Sequence, residues 1–120
     1  MKGVTIIQKR DFIIDCLRKK QEGYWLQVTG DSMWPTLKDG DLIWATPYSK
    51  DEILNIGDII VYRKFSEHLT VHRIVDMVRL NSRHTYFKTK GDNNLSKDNY
   101  IILKNEIIGI IRMEDKCEFC

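Results

Sequence analysis

The hydrophobic pattern changes character once along the chain. Over residues 8–21, Phe12, Ile13, Cys16 and Leu17 recur at the spacing of one helical face with Lys and Arg opposite, and Gly23 follows as a stop signal. This predicts an N-terminal helix. From Tyr24 onward, apolar residues come in short β-branched and aromatic runs bounded by turn residues, which is the pattern of strands. Strands are predicted over residues 24–29, 41–45, 58–63, 69–78, 85–89, 100–103 and 106–111, with turns at Asp39-Gly40, at 55–57 and at Gly91-Asp92-Asn93-Asn94. The expected fold class is mostly β with one N-terminal helix. Residues 1–120 read as a single domain: the helix, a β region over about 24–112 and a short C-terminal tail.

Composition narrows the picture by exclusion. With 42% apolar and 30% charged residues, the chain has enough apolar material for a packed core, so disorder is not expected. The formal charge of +2, from 19 basic and 17 acidic residues, supplies no basic face, so no nucleic acid partner is expected. Arg18, Lys19 and Lys20 read as a solvated helix face. No run approaches the ~20 apolar residues that span a bilayer, and charge interrupts the first residues too soon for a secretory signal. These features predict a soluble, cytoplasmic protein without a transmembrane segment.

Three cysteines are an odd number and argue against a disulfide framework. Cys117 and Cys120 form a CxxC pair that supplies only half of a tetrahedral zinc site, so no metal and no cofactor is expected. Cys16 reads as core packing.

Four segments carry the candidate chemistry. In Gly30-Asp31-Ser32-Met33-Trp34-Pro35-Thr36-Leu37, a predicted strand runs out, a glycine permits an unusual backbone angle, and Ser32 follows at the end of a rigid element. In Leu69-Thr70-Val71-His72-Arg73-Ile74-Val75, strand alternation puts His72 on one face with Thr70 and Ile74. A serine hydroxyl is a weak nucleophile that needs an adjacent proton acceptor, and imidazole is the side chain that ordinarily ionises near neutrality. In the third segment, 88–98, Asp92 and Asp98 stand six residues apart, so that one carboxylate can orient His72 while the other holds the loop. The fourth, Asn55 to Arg63, reads as structural, a turn feeding a buried strand. His68 and His84 read as surface or turn residues.

Taken in order, Gly-x-Ser-Met-x-Pro-Thr-Leu, Gly-Asp-Ile-Ile-Val-Tyr, Val-His-Arg-Ile and Lys-Gly-Asp-Asn-Asn resemble a type I signal peptidase over about residues 28–111. His72 stands where the usual bacterial enzymes carry a lysine, as in the archaeal and endoplasmic-reticulum branch. The resemblance implies Ser32 as nucleophile, His72 as general base and Asp98 as the completing acid. Asp92, Gly30 and Met33 then support the site. It also implies coiled antiparallel sheets of the LexA/signal peptidase type and a serine endopeptidase that cuts an extended signal, leader or precursor peptide after small residues. Such a peptide fits addition to a strand edge.

Gly30 departs from the serine that typical members carry two residues before the nucleophile. Oxyanion stabilisation would then rest on backbone N–H groups, notably that of Ser32. With no membrane anchor predicted, Trp34 and its neighbours are the expected candidates for peripheral membrane contact.

Two alternatives are a LexA-like regulatory module and a catalytically silent peptide-binding protein of the same fold. One helix is too little for a helix-turn-helix. The self-cleavage bond, Ala-Gly or Cys-Gly, is also absent, since the only alanine is Ala45.

Overall fold

The computed structural model describes residues 3–6, 23–65, 68–81 and 83–116. The predicted helix over 8–21, Cys16, Cys117 and Cys120 lie outside them. Eight strands form the described fold: β1 (Gly3–Ile6), β2 (Tyr24–Thr29), β3 (Leu42–Pro47), β4 (Ile59–Tyr62), β5 (Thr70–Arg79), β6 (Thr85–Lys90), β7 (Ile102–Leu103) and β8 (Ile107–Lys116). They make one antiparallel sheet in the order β1-β2-β3-β8-β4-β5-β6-β7. A backbone hydrogen bond from Val4 N to Leu69 O, at 3.2 Å, brings β1 back against the start of β5. The sheet therefore curls upon itself, as the right-handed twist of its strands favours.

The curl explains why β4 is a continuous apolar run. Ile59 and Val61 face one core with Leu26, Val28, Met33, Leu37, Ile43 and Val71. Ile60 and Tyr62 face a second core with Leu54, Ile74, Phe87, Ile102 and Ile110. A strand covered on both faces has no polar side to alternate with. The two cores flank the same four residues. Elsewhere one face is apolar, as in β6, where Thr85, Phe87 and Thr89 are buried between half-buried neighbours.

Sequence and structure differ at the ends of elements. The strand predicted over 100–103 is only Ile102–Leu103, because the Tyr100 phenol turns inward to a hydrogen bond rather than lying on a pleated face. Residues 104–106 form a 3₁₀ turn closed by Glu106, whose carboxylate accepts from Leu103 N and Lys64 Nζ. The last strand runs on to Lys116, pairing with both β3 and β4. β1 was not foreseen at all. It exists because its backbone pairs with β2, a contact that local pattern does not encode. Trp25 and Trp44, directly opposite on β2 and β3, are buried edge to face at 5.2 Å, whereas Trp34 is 51% exposed.

Candidate active site

Ser32 sits in a compact turn between β2 and β3. Gly30 enters it with φ of +88°, a conformation open to glycine and strained for other residues, and its N–H donates to Asp39 Oδ1 at 2.7 Å. Met33 and Leu37, four residues apart as on one turn of helix, are both buried, and Leu37 N donates to Met33 O at 2.9 Å. With those two anchors in the core, Ser32 is left half-buried on the rim.

The loop after β6 is stapled to this turn. Asn93 N donates to Ser32 O at 2.8 Å, Asn93 Nδ2 to Asp31 O at 3.1 Å, and Asp92 N to Met33 Sδ at 3.3 Å. Gly91 allows the approach. A Cβ there would lie 2.6 Å from Ser32 O, 2.7 Å from Asn94 Nδ2 and 3.1 Å from His72 Nε2.

His72 lies on β5 opposite Ile60 of β4. Its Nε2 is 3.3 Å from Ser32 Oγ and its Nδ1 2.7 Å from Asp98 Oδ2. Residues 40 and 26 positions from His72 in sequence thus meet its two ring nitrogens. Burial, the largest single influence on Asp98, pushes its carboxyl up. Hydrogen bonds from His72, Thr89 and Tyr62, with the charge available at His72, outweigh it and hold Asp98 below the usual carboxylate range. An ionised Asp98 only accepts, so His72 Nδ1 carries a proton, and in the neutral ring Nε2 then turns its lone pair to the serine hydroxyl.

Asp92 does not touch His72. It accepts from Arg73 Nε at 2.9 Å and Nη2 at 2.8 Å and from Thr36 Oγ1 at 2.5 Å. The hydrogen bonds from Arg73 are the chief reason its carboxyl lies below its ordinary value. Gly30 and Met33 shape the turn, through hydrogen bonds to Asp39, Leu37 and Asp92. His68 and His84 are exposed, and His84 lies on Asn81 in the β5–β6 turn.

The segment from Asn55 to Arg63, read as structural, also enters the site. Tyr62, fully buried, places its hydroxyl 3.2 Å from Asp98 Oδ2, 3.2 Å from Thr89 Oγ1 and 2.8 Å from the Tyr100 hydroxyl. Thr89 donates to Asp98 Oδ2 at 2.7 Å. Tyr62, Thr89, Tyr100, Arg73 and Thr36 were missed by sequence reasoning. The available signal was alternation: Tyr62 shares a face with Ile60, the partner of His72, and Thr89 pairs with Ile74, two positions from His72.

Among the described residues no group of three or more His, Cys, Asp or Glu is arranged to hold a metal. None of their helices is long and apolar enough to cross a membrane. A cleft of about 650 Å³, lined by Tyr48, Arg79, Phe87 and Lys104, lies toward the other end of β5 from His72.

The sequence profile described as Peptidase S24-like matches residues 4–112. This chain belongs to that family. It is similar to signal peptidase I W of Bacillus subtilis (strain 168), with 38% identity over 77 residues, 63% of this chain and 40% of the relative. It is also similar to the signal peptidase complex catalytic subunit SEC11 of Lodderomyces elongisporus, with 31% identity over 98 residues, 71% of this chain and 55% of the relative. A third relative is the catalytic subunit SEC11C of Canis lupus familiaris, 34% identical over 68 residues, 56% of this chain and 35% of the relative. The chain therefore spans about half, or less, of the length of these relatives.

Proposed function

We propose that this chain is a serine endopeptidase of the signal-peptidase type, with residues 24–112 as its catalytic region. Its substrate is an extended signal, leader or precursor peptide with small residues before the cut. Ser32 Oγ attacks the scissile carbonyl while His72 Nε2 takes its proton; His72 then hands that proton to the leaving amine, and water hydrolyses the acyl-enzyme by the same route. Asp98 keeps the imidazole in the tautomer this needs. The observation that carries the reading is the line Ser32 Oγ, His72, Asp98 Oδ2, at 3.3 and 2.7 Å. A separation of 3.3 Å suits a free enzyme, whose catalytic hydrogen bonds tighten on binding substrate.

Gly30 adds no side-chain donor, so the oxyanion rests on backbone N–H groups. The Ser32 N–H, without an acceptor among the described residues, supports this. One missing donor costs roughly 2.7–4 kcal/mol of barrier in other hydrolases, which slows an enzyme without silencing it. The exposed Trp34, two residues from Ser32, supports contact between this rim and a membrane surface during cleavage.

The deciding experiment compares wild type with Ser32→Ala and His72→Ala on a fluorogenic peptide carrying Ala-x-Ala before the bond. Cleavage by wild type alone is expected; full activity in Ser32→Ala rejects the proposal. The Gly30 departure favours a second reading, a silent peptide-binding protein. That reading requires that a serine-directed fluorophosphonate fail to label wild type.

A further inference from the structure

The oxygen that holds His72 is itself held from behind. Asp98 Oδ2 takes three donors: His72 Nδ1 at 2.7 Å, Thr89 Oγ1 at 2.7 Å and the Tyr62 hydroxyl at 3.2 Å. One carboxylate oxygen, two hydroxyls and a ring nitrogen surround the Tyr62 hydroxyl, and of these the Asp98 carboxylate is the one that only accepts. Thr89 and His72 spend their protons on Asp98. Tyr62 points its own at the same carboxylate from 3.2 Å, and its oxygen shares a second hydrogen bond with the Tyr100 hydroxyl across 2.8 Å. Burial raises both phenols above their ordinary values, Tyr62 most strongly, so both remain donors.

A phenol this deeply buried costs free energy unless its hydroxyl is used. Phenylalanine would fill the same volume between Ile60, Ile74 and Tyr100, so the volume does not explain the hydroxyl. Register places it where it acts: Tyr62 approaches His72 diagonally from β4, and Thr89 does so from β6.

We infer that Tyr62 is a positioning residue which, backed by Tyr100, clamps the Asp98 carboxylate as a pure acceptor facing His72 Nδ1 and so leaves Nε2 bare toward Ser32. This rests on the catalytic reading of Ser32, His72 and Asp98 and adds the group that aims the acid. The groups facing Asp98 are Tyr62 from β4, His72 from β5, Thr89 from β6 and Tyr100 from the loop before β7. Lys88 Nζ, also from β6, is spent on the backbone carbonyls of Asp98 and Tyr100. Arg73 and Asp92 pair with each other, and Lys90 Nζ binds the carbonyls of Gly91 and Asn94.

The test is Tyr62→Phe in the full chain. The expected result is a loss of about tenfold in kcat with KM within about twofold, the worth of one hydrogen bond to a charged group. By ¹³C NMR, the Asp98 carboxyl should titrate at higher pH than in wild type, because its ionised form has lost a donor. By ¹⁵N NMR, neutral His72 should change from the Nδ1–H tautomer to a mixture. Tyr100→Phe should move each quantity the same way by less.

A folded Tyr62→Phe protein with unchanged kcat, Asp98 titration and His72 tautomer overturns the inference. If Tyr62→Phe does not fold, Tyr100→Phe decides by the same measurements. The NMR quantities need no turnover, so they judge Tyr62 even if the Ser32→Ala comparison removes the peptidase reading.

Discussion

Arg73 grips Asp92 with two parallel hydrogen bonds, Nε to Oδ1 at 2.9 Å and Nη2 to Oδ2 at 2.8 Å, while its Nη1 reaches Gly57 O at 2.8 Å. Through Thr36, the same carboxylate holds the turn that carries Ser32. The pair thus ties together β5, the loop after β6, the turn before β4 and the serine turn. Lysine offers a single point charge and cannot make this fork. Arg73→Lys and Asp92→Asn should each lose about 1–2 kcal/mol, read from urea unfolding. Both should also lower kcat/KM, because the serine turn loosens against His72.

Acid should weaken the fold through the same carboxylates. Asp92 and Asp98 both lie below their ordinary values, so near those values the unfolded chain binds more protons than the folded one. Their contribution is complete above the ordinary carboxylate range, near about 4, and is lost as pH falls through the lower folded values. Melting temperature measured from pH 7 down to pH 2 should decline below about 4. It should decline less steeply in Asp92→Asn, which no longer has that proton to gain.

Gly91→Ala tests the closest approach in the site. The added methyl meets the Ser32 carbonyl oxygen at 2.6 Å, and backbone cannot step aside as the end of a long side chain can. The loop should move outward and carry His72 and Ser32 apart. We expect kcat/KM to fall on the order of 10²-fold, the known cost of small misplacements, with the circular dichroism spectrum retained.

Gly30→Ser would add the hydroxyl that the signal-peptidase resemblance leads one to expect there, yet it places a β-carbon at φ of +88°. That conformation costs a non-glycine residue about 1–2 kcal/mol. Urea unfolding should register a loss of that size. Equal or greater stability would mean that the turn relaxes to a different backbone.

How much of this was legible depended on the distance over which each feature is decided. Strand positions in the β region followed from alternation and from turn residues such as Asp39-Gly40 and 55–57, because those preferences act within a few residues. Ser32, His72, Asp92 and Asp98 stood out through motif order, and the structure brings three of them into one hydrogen-bonded line, with Asp92 held apart on Arg73. The predicted helix lies outside the described residues. β1 and the shortened β7 were misjudged because each depends on what it meets: β2 and Leu69 for one, the inward Tyr100 for the other.

The sequence by itself determined which chemical groups exist and which of them share a face: a hydroxyl after a glycine, an imidazole within a strand, two carboxylates six residues apart, and a strand apolar on both sides. Only the tertiary structure decided that β4 and β6 flank β5, that the sheet curls, and that Tyr62 and Thr89 therefore meet Asp98 behind His72. The reason is physical. Local preferences fix where strands begin and which way side chains alternate, whereas pairing between strands far apart in sequence is settled by which arrangement buries the most apolar surface without orphaning polar groups.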